Sequence, residues 1–206
     1  MDAIPGPHRS AGGLLPVGRE RSDAAANRAR ILASAAVLSD QRGLANLRMD
    51  EVAEHAGVGV GTIYRRFGDR SGLILALVDH SEVEFQQAFL FGPPPLGPGA
   101  DPLARIRAFV RAFVDRVVLR GEALLVAETS APFGRFSRAY GLHHTHLASQ
   151  IAAADPEADA AWLADAVLAA MSAELVQYQL DERRWTAERI VDGVLTLVAA
   201  SVRTTS

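Results

Sequence analysis

The chain has no cysteine, so it has neither a disulfide framework nor thiolates for metal binding or catalysis. Lysine is missing as well, and all 21 basic residues are arginine. Arginine suits bidentate contacts to phosphate and guanine, although genomic base composition accounts for the same bias. No uninterrupted apolar stretch approaches the roughly 20 residues of a membrane span, and the amino terminus lacks the apolar core of a signal peptide. A cytoplasmic protein is the simplest reading. What is present is a hydrophobic content of 49% over 206 residues, enough for a sizeable core in one or two compact domains. The net charge of −3 is uneven: ten Arg face nine acids through His80, and eleven face fifteen beyond it. The first part tolerates phosphate, whereas the remainder does not seek it.

The chain is organised around residues 48–70, RMDEVAEHAGVGVGTIYRRFGDR. Val52, Ala53 and Ala56 recur at helical spacing, and Gly57 supplies a left-handed residue to close that helix. After a step of four residues, Ile63 and Phe67 stand at i and i+4 and point inward. Thr62, Tyr64, Arg65 and Arg66 then face out or flank that face. Two short helices joined by a glycine-containing turn form a helix-turn-helix, whose second helix can enter the major groove of DNA. Arg65 and Arg66 are candidates for guanine or phosphate contact. Gly61 lets this helix approach a partner closely. Phe67 reads as core, and Tyr64 as core or as a DNA contact.

The run DEVAEHAGVGVGTIYRRFGDRSGLI resembles the DNA-binding signature of the tetracycline-repressor (TetR) family, including its AGV turn, its GTxY recognition helix and its closing aromatic. The resemblance in motif spans roughly residues 28–78. It implies that Gly61, Thr62 and Tyr64 lie against operator DNA, with the Tyr64 hydroxyl on a phosphate, and that Arg70 contacts the backbone. Substituting Tyr64 or Arg70 is then expected to weaken DNA binding with little loss of folding. Three positions depart from the family pattern. Arg48 replaces a helix-capping Thr and cannot cap, although it can reach a phosphate. Gly59 replaces a Ser, and Arg66 stands where His is frequent.

Elsewhere the pattern is all-helical. Residues 1–21, with Pro5, Pro7, Pro16 and several glycines, read as a disordered arm ending in Arg19 and Arg21, able to reach a minor groove or simply solvated. Residues 22–68 form the DNA-binding domain, beginning with a helix over 22–41. Residues 69–206 form a helical regulatory and dimerisation domain. There Asp69 caps a helix toward Phe89, and the proline-rich residues 92–102 form a loop. Helices are expected over 103–119, 122–128, 136–153, 158–180 and 186–202. Trp185 and Ile190 form a hydrophobic staple around the N-cap Thr186. The resemblance implies that the last two helices pair with their copies in a homodimer, and Leu168, Leu175, Val194, Leu197 and Val198 suit that or burial within one chain.

Phe109, Phe113, Phe133, Phe136, Tyr140, His143, Trp162, Met171 and Tyr178 are candidates to line an effector pocket, though ordinary core explains any one of them. His143, His144 and His146 invite a metal reading. Only His143 and His146 share a face and no further ligand is evident, so no metal and no cofactor is expected. The function read here is a sequence-specific DNA-binding regulator, a repressor released by a small-molecule effector. The alternatives are a helical binding or interaction module and a small helical enzyme. No nucleophile elbow, thiol or acid–base set favours an enzyme.

Overall fold

The computed structural model describes residues 17–129 and 136–202, with the side chains of residues 17–22 outside the description. Among the described residues every regular element is helical. The order is α1 (Val17–Arg42), a 3-10 turn (Leu44–Asn46), α2 (Met49–Ala56), α3 (Val60–Phe67), α4 (Arg70–Phe91), α5 (Pro102–Thr129), α6 (Arg138–Ala154), α7 (Ala160–Ala170), α8 (Ala173–Asp181) and α9 (Ala187–Ser201). No single helix among them is long and apolar enough to cross a membrane.

The first three helices form the head. Ile31, Leu32 and Ala35 of α1, Val52 and Ala53 of α2 and Ile63 of α3 are buried together. The turn between α2 and α3 works as its sequence dictates. Gly57 closes α2 at φ 63°, where a side chain would be strained. α1 begins at Val17 rather than Ser22, because Arg19, Glu20 and Arg21 favour helix strongly enough to outweigh Gly18. The rest of the expected arm, residues 1–16, lies outside the described residues, as does Phe133.

α4 links head and body. Asp69 caps it by accepting a hydrogen bond from the Gly72 amide at 2.8 Å, and it runs two residues past the expected Phe89 to Phe91. α5 is the central strut of the body, touching α4, α6, α8 and α9. It runs unbroken through residues expected to separate two helices. Gly121 explains both the expectation and the outcome: glycine weakens the local helical signal, yet a Cβ there would collide with the Gln177 side chain, so its absence admits α8.

The expected single helix over 158–180 is two helices, bent by 41° at Met171 and Ser172. Ser172 takes the N-cap role, its hydroxyl accepting from the Leu175 amide at 3.4 Å, and so starts a new helix within an alanine-rich run. Asp159 and Thr186 cap α7 and α9 in the same way. Trp185 lies against the guanidinium groups of Arg183 and Arg189, 5.3 and 4.3 Å from its ring centre.

Candidate nucleic-acid interface and regulatory cavity

In α3, Ile63 is fully buried and Phe67 packs partly into the core, while Gly61, Tyr64, Arg65 and Arg66 are exposed and Thr62 is half-buried. Tyr64 is 51% exposed, which removes the reading of it as a core aromatic. The outward face is therefore a hydroxyl-bearing, cationic surface on an eight-residue helix.

The arginines around it differ in what they already hold. Arg48, the residue before α2, makes a two-point contact with Asp50 at 2.7 and 3.2 Å. That hydrogen bond holds the Asp50 carboxyl below the usual carboxylate range. Arg42 pairs with Glu51 at 2.8 Å. Arg66 donates to the Ala24 carbonyl of α1 at 2.6 Å. Arg70 donates to the carbonyl oxygens of Leu44 and Leu47, tying the start of α4 to the turn before α2. Arg42, Arg48 and Arg70 also border one cleft beside that turn. Arg70 therefore also braces the head, donating to the Leu47 carbonyl and sharing the Leu44 carbonyl with the Leu47 amide.

The body contains a cavity of about 210 Å³ among α4, α5, α6 and α7. Of the expected effector-pocket residues, Phe113, Tyr140 and His143 line it. Phe136 stands edge-on to Tyr140 at 4.9 Å. Phe109 and Met171 are closed into the core, and Trp162 (65% exposed) and Tyr178 (48% exposed) lie at the surface. Those four do not border the cavity, since aromatic character at helical spacing does not tell which face of a helix meets a void.

The cavity's polar wall was not foreseen. Glu82 of α4 accepts from Arg116 of α5 at 2.6 Å and pairs with His143 of α6 at 2.8 Å. Burial alone would raise the Glu82 carboxyl, but the hydrogen bond with His143 and the charge of Arg116 hold it below the usual carboxylate range. Burial lowers Arg116 against the pull of Glu82. Asp79 and Glu128 also border the cavity. The available signal was charge interrupting apolar helices, Glu82 within α4 and Arg116 within α5.

The histidine cluster divides. His146 packs on Phe89 and Phe109, with ring centres 4.6 and 5.1 Å away, and His144 bonds the Ala161 carbonyl at 3.1 Å. Among the described residues no three His, Cys, Asp or Glu side chains are grouped to hold a metal ion.

The three-helix head thus presents a helix-turn-helix with an outward cationic second helix, packed on an all-helical body. Residues 31–77 match the family model for bacterial regulatory proteins of the tetR family. An HTH-type transcriptional regulator of Staphylococcus aureus (strain bovine RF122 / ET3-1) is 41% identical over 58 residues, which are 28% of this chain and 31% of that relative. The chain thus matches less than a third of that relative's length. Likeness over the whole fold comes from solved structures. A TetR-family transcriptional regulator from Rhodococcus sp. superposes with a TM-score of 0.62 at 21% identity, covering 86% of this chain and 98% of its own. A transcriptional regulator from Saccharomonospora viridis in complex with choline superposes with a TM-score of 0.62 at 19% identity, covering 88% and 98%.

Proposed function

We propose that this protein is a homodimeric transcriptional regulator that binds operator DNA through α3 and is released from it by a small molecule in the body cavity. The observation that carries the reading is the face of α3, where Tyr64, Arg65 and Arg66 are exposed around a buried Ile63. A helix of this kind is suited to the major groove, with phosphate contacts fixing register and base contacts supplying sequence preference. Gly61, Thr62 and Tyr64 face the DNA in this reading, and Arg48 exchanges Asp50 for a phosphate.

Leu175 (38% exposed) and Leu197 (42% exposed) support pairing of α8 and α9 with their copies. Leu168, Val194 and Val198 are buried within the chain, so the apolar stripe serves both purposes. Two recognition helices then stand about 34 Å apart, one turn of DNA. A ligand favouring a body shape with another spacing shifts the population from the DNA-binding form. The Saccharomonospora viridis relative holds choline, and a cavity of about 210 Å³ suits an effector of that small size.

The test is a fluorescence-anisotropy titration against DNA from upstream of the protein's own gene, at two salt concentrations. Tight, steeply salt-dependent binding to one palindromic fragment supports the reading. Equal affinity for every fragment overturns sequence-specific regulation.

A further inference from the structure

The cationic face of α3 contains one arginine with nothing to hold. Arg28 lies over the Phe67 ring, Arg30 bonds Asn27, and Arg42, Arg48, Arg66 and Arg70 have the partners given above. Arg65 is exposed and makes no hydrogen bond or ion pair with any described residue.

Its position is specific. Ile63, fully buried, sets the inward direction of α3. At 3.6 residues per turn, Gly61 and Arg65 each lie about 160° around the helix from it. They are the outermost ridge, four residues apart. Helical side chains lean toward the helix N-terminus, so Arg65 extends over the turn that Gly61 occupies.

Gly61 is the second observation. It is not in the left-handed region, and a Cβ added there would meet nothing within 4 Å. The fold therefore gives no reason for glycine, which weakens a helix by about 1 kcal/mol relative to alanine. What distinguishes Gly61 from Gly141 and Gly193, which are equally open, is its place beside Arg65 on the outward ridge of α3, where a bare backbone leaves room for a base edge.

We infer that Arg65 is the base-reading residue of this interface, donating two hydrogen bonds to O6 and N7 of a guanine, and that Gly61 clears the helix surface so that the base edge can approach. This assignment rests on the DNA-binding reading proposed above. The fork of a guanidinium matches the two guanine acceptors, and an unengaged arginine loses no internal bond on making them. Arg66 and Arg70 already satisfy backbone carbonyls of the head and keep that duty.

The experiment is selection from a randomised duplex library by the full-length protein and by Arg65→Ala, Arg65→Lys, Arg66→Ala and Gly61→Ala, followed by affinity measurements on the selected sites and on singly changed ones. The wild type should select a G·C pair at one position of each half-site. Arg65→Ala should lose preference at that pair alone, with affinity for the selected site falling roughly 5- to 150-fold per half-site. Its thermal midpoint should be unchanged, because the side chain is exposed. Arg65→Lys should recover only part of the discrimination, and Gly61→Ala should bind every duplex more weakly without losing stability. Arg66→Ala should shift all sequences in parallel. If Arg65→Ala instead weakens all sequences equally and keeps the wild-type motif, Arg65 holds a phosphate and the assignment is wrong. A wild type that selects nothing would overturn the regulator reading as well, so the two failures are separable.

Discussion

Arg120 on α5 donates to Asp40 near the end of α1, and its guanidinium also reaches the Ser39 hydroxyl at 3.4 Å. One turn earlier on the same helix, Arg116 holds Glu82 at the cavity wall. Consecutive turns of α5 thus grip the wall of the body cavity and the three-helix head.

The Arg120–Asp40 contact should show a measurable coupling. Arg120 is mostly enclosed but Asp40 is 40% exposed, so solvent weakens the pair, and about 1 kcal/mol is the expected interaction. A double-mutant cycle with Arg120→Met and Asp40→Asn, read by urea unfolding, measures it. A coupling indistinguishable from zero would show that the contact does not fasten the head.

Removing one member of the buried pair should cost more. With Glu82 and Arg116 side chains only 14% and 10% exposed, Glu82→Gln leaves an enclosed guanidinium with only the weaker pull of Glu128. Breaking such a pair typically costs about 3–5 kcal/mol, whereas replacing both members with apolar groups costs far less. Glu82→Leu combined with Arg116→Met should therefore be more stable than Glu82→Gln alone. The reverse order would place the stability of this wall elsewhere.

Acid should destabilise the body through His146. Burial, then the charge of Arg105 and the nearness of His143, push this histidine down to about 4. An unfolded histidine titrates near 6.5, so between those values the unfolded chain binds a proton that the folded chain refuses. Stability then falls as pH drops from about 6.5 toward 4, by up to about 3 kcal/mol. His146→Leu should flatten this interval of the stability curve relative to wild type, measured by denaturant unfolding at half-unit pH steps. Parallel curves would assign the acid sensitivity to other groups.

Charge placed on the exposed α8–α9 face should separate the protomers. Leu197→Glu and Leu175→Glu put carboxylates on residues 42% and 38% exposed in the single chain, so folding should be retained. Sedimentation should report a monomer and DNA affinity should collapse with it. A dimer that survives both substitutions would move the interface to another face.

Much of the head was legible in the sequence because its signals are local. Gly57 could only end α2 as it does, and the spacing of Ile63 and Phe67 fixed which side of α3 is inside. Caps at Asp69 and Thr186 were equally local. The failures are non-local. Whether Gly121 breaks a helix or admits a neighbour depends on where Gln177 arrives, and whether Ser172 faces solvent or starts a helix depends on the packing of α7. The same holds for arginine. Arg65 and Arg66 are adjacent and identical in sequence, yet only Arg66 finds a carbonyl, on a helix more than forty residues earlier. In the cavity, Phe113 and Tyr140 could not be told from Trp162 and Tyr178 by residue type, because position relative to a void is a property of the assembled body.

The bend at Met171 and Ser172 lets two jobs be revised separately. α7 contributes Leu168 to the cavity, whereas α8 carries the exposed Leu175 on the far side of the break. In one straight helix, any change that rotated or lengthened the cavity wall would also turn the proposed dimer face out of register. With the helix restarted at Ser172, substitutions in α7 can accumulate while α8 keeps its alignment. In the proposed dimeric regulator, ligand preference can then diverge without first breaking the pairing of protomers.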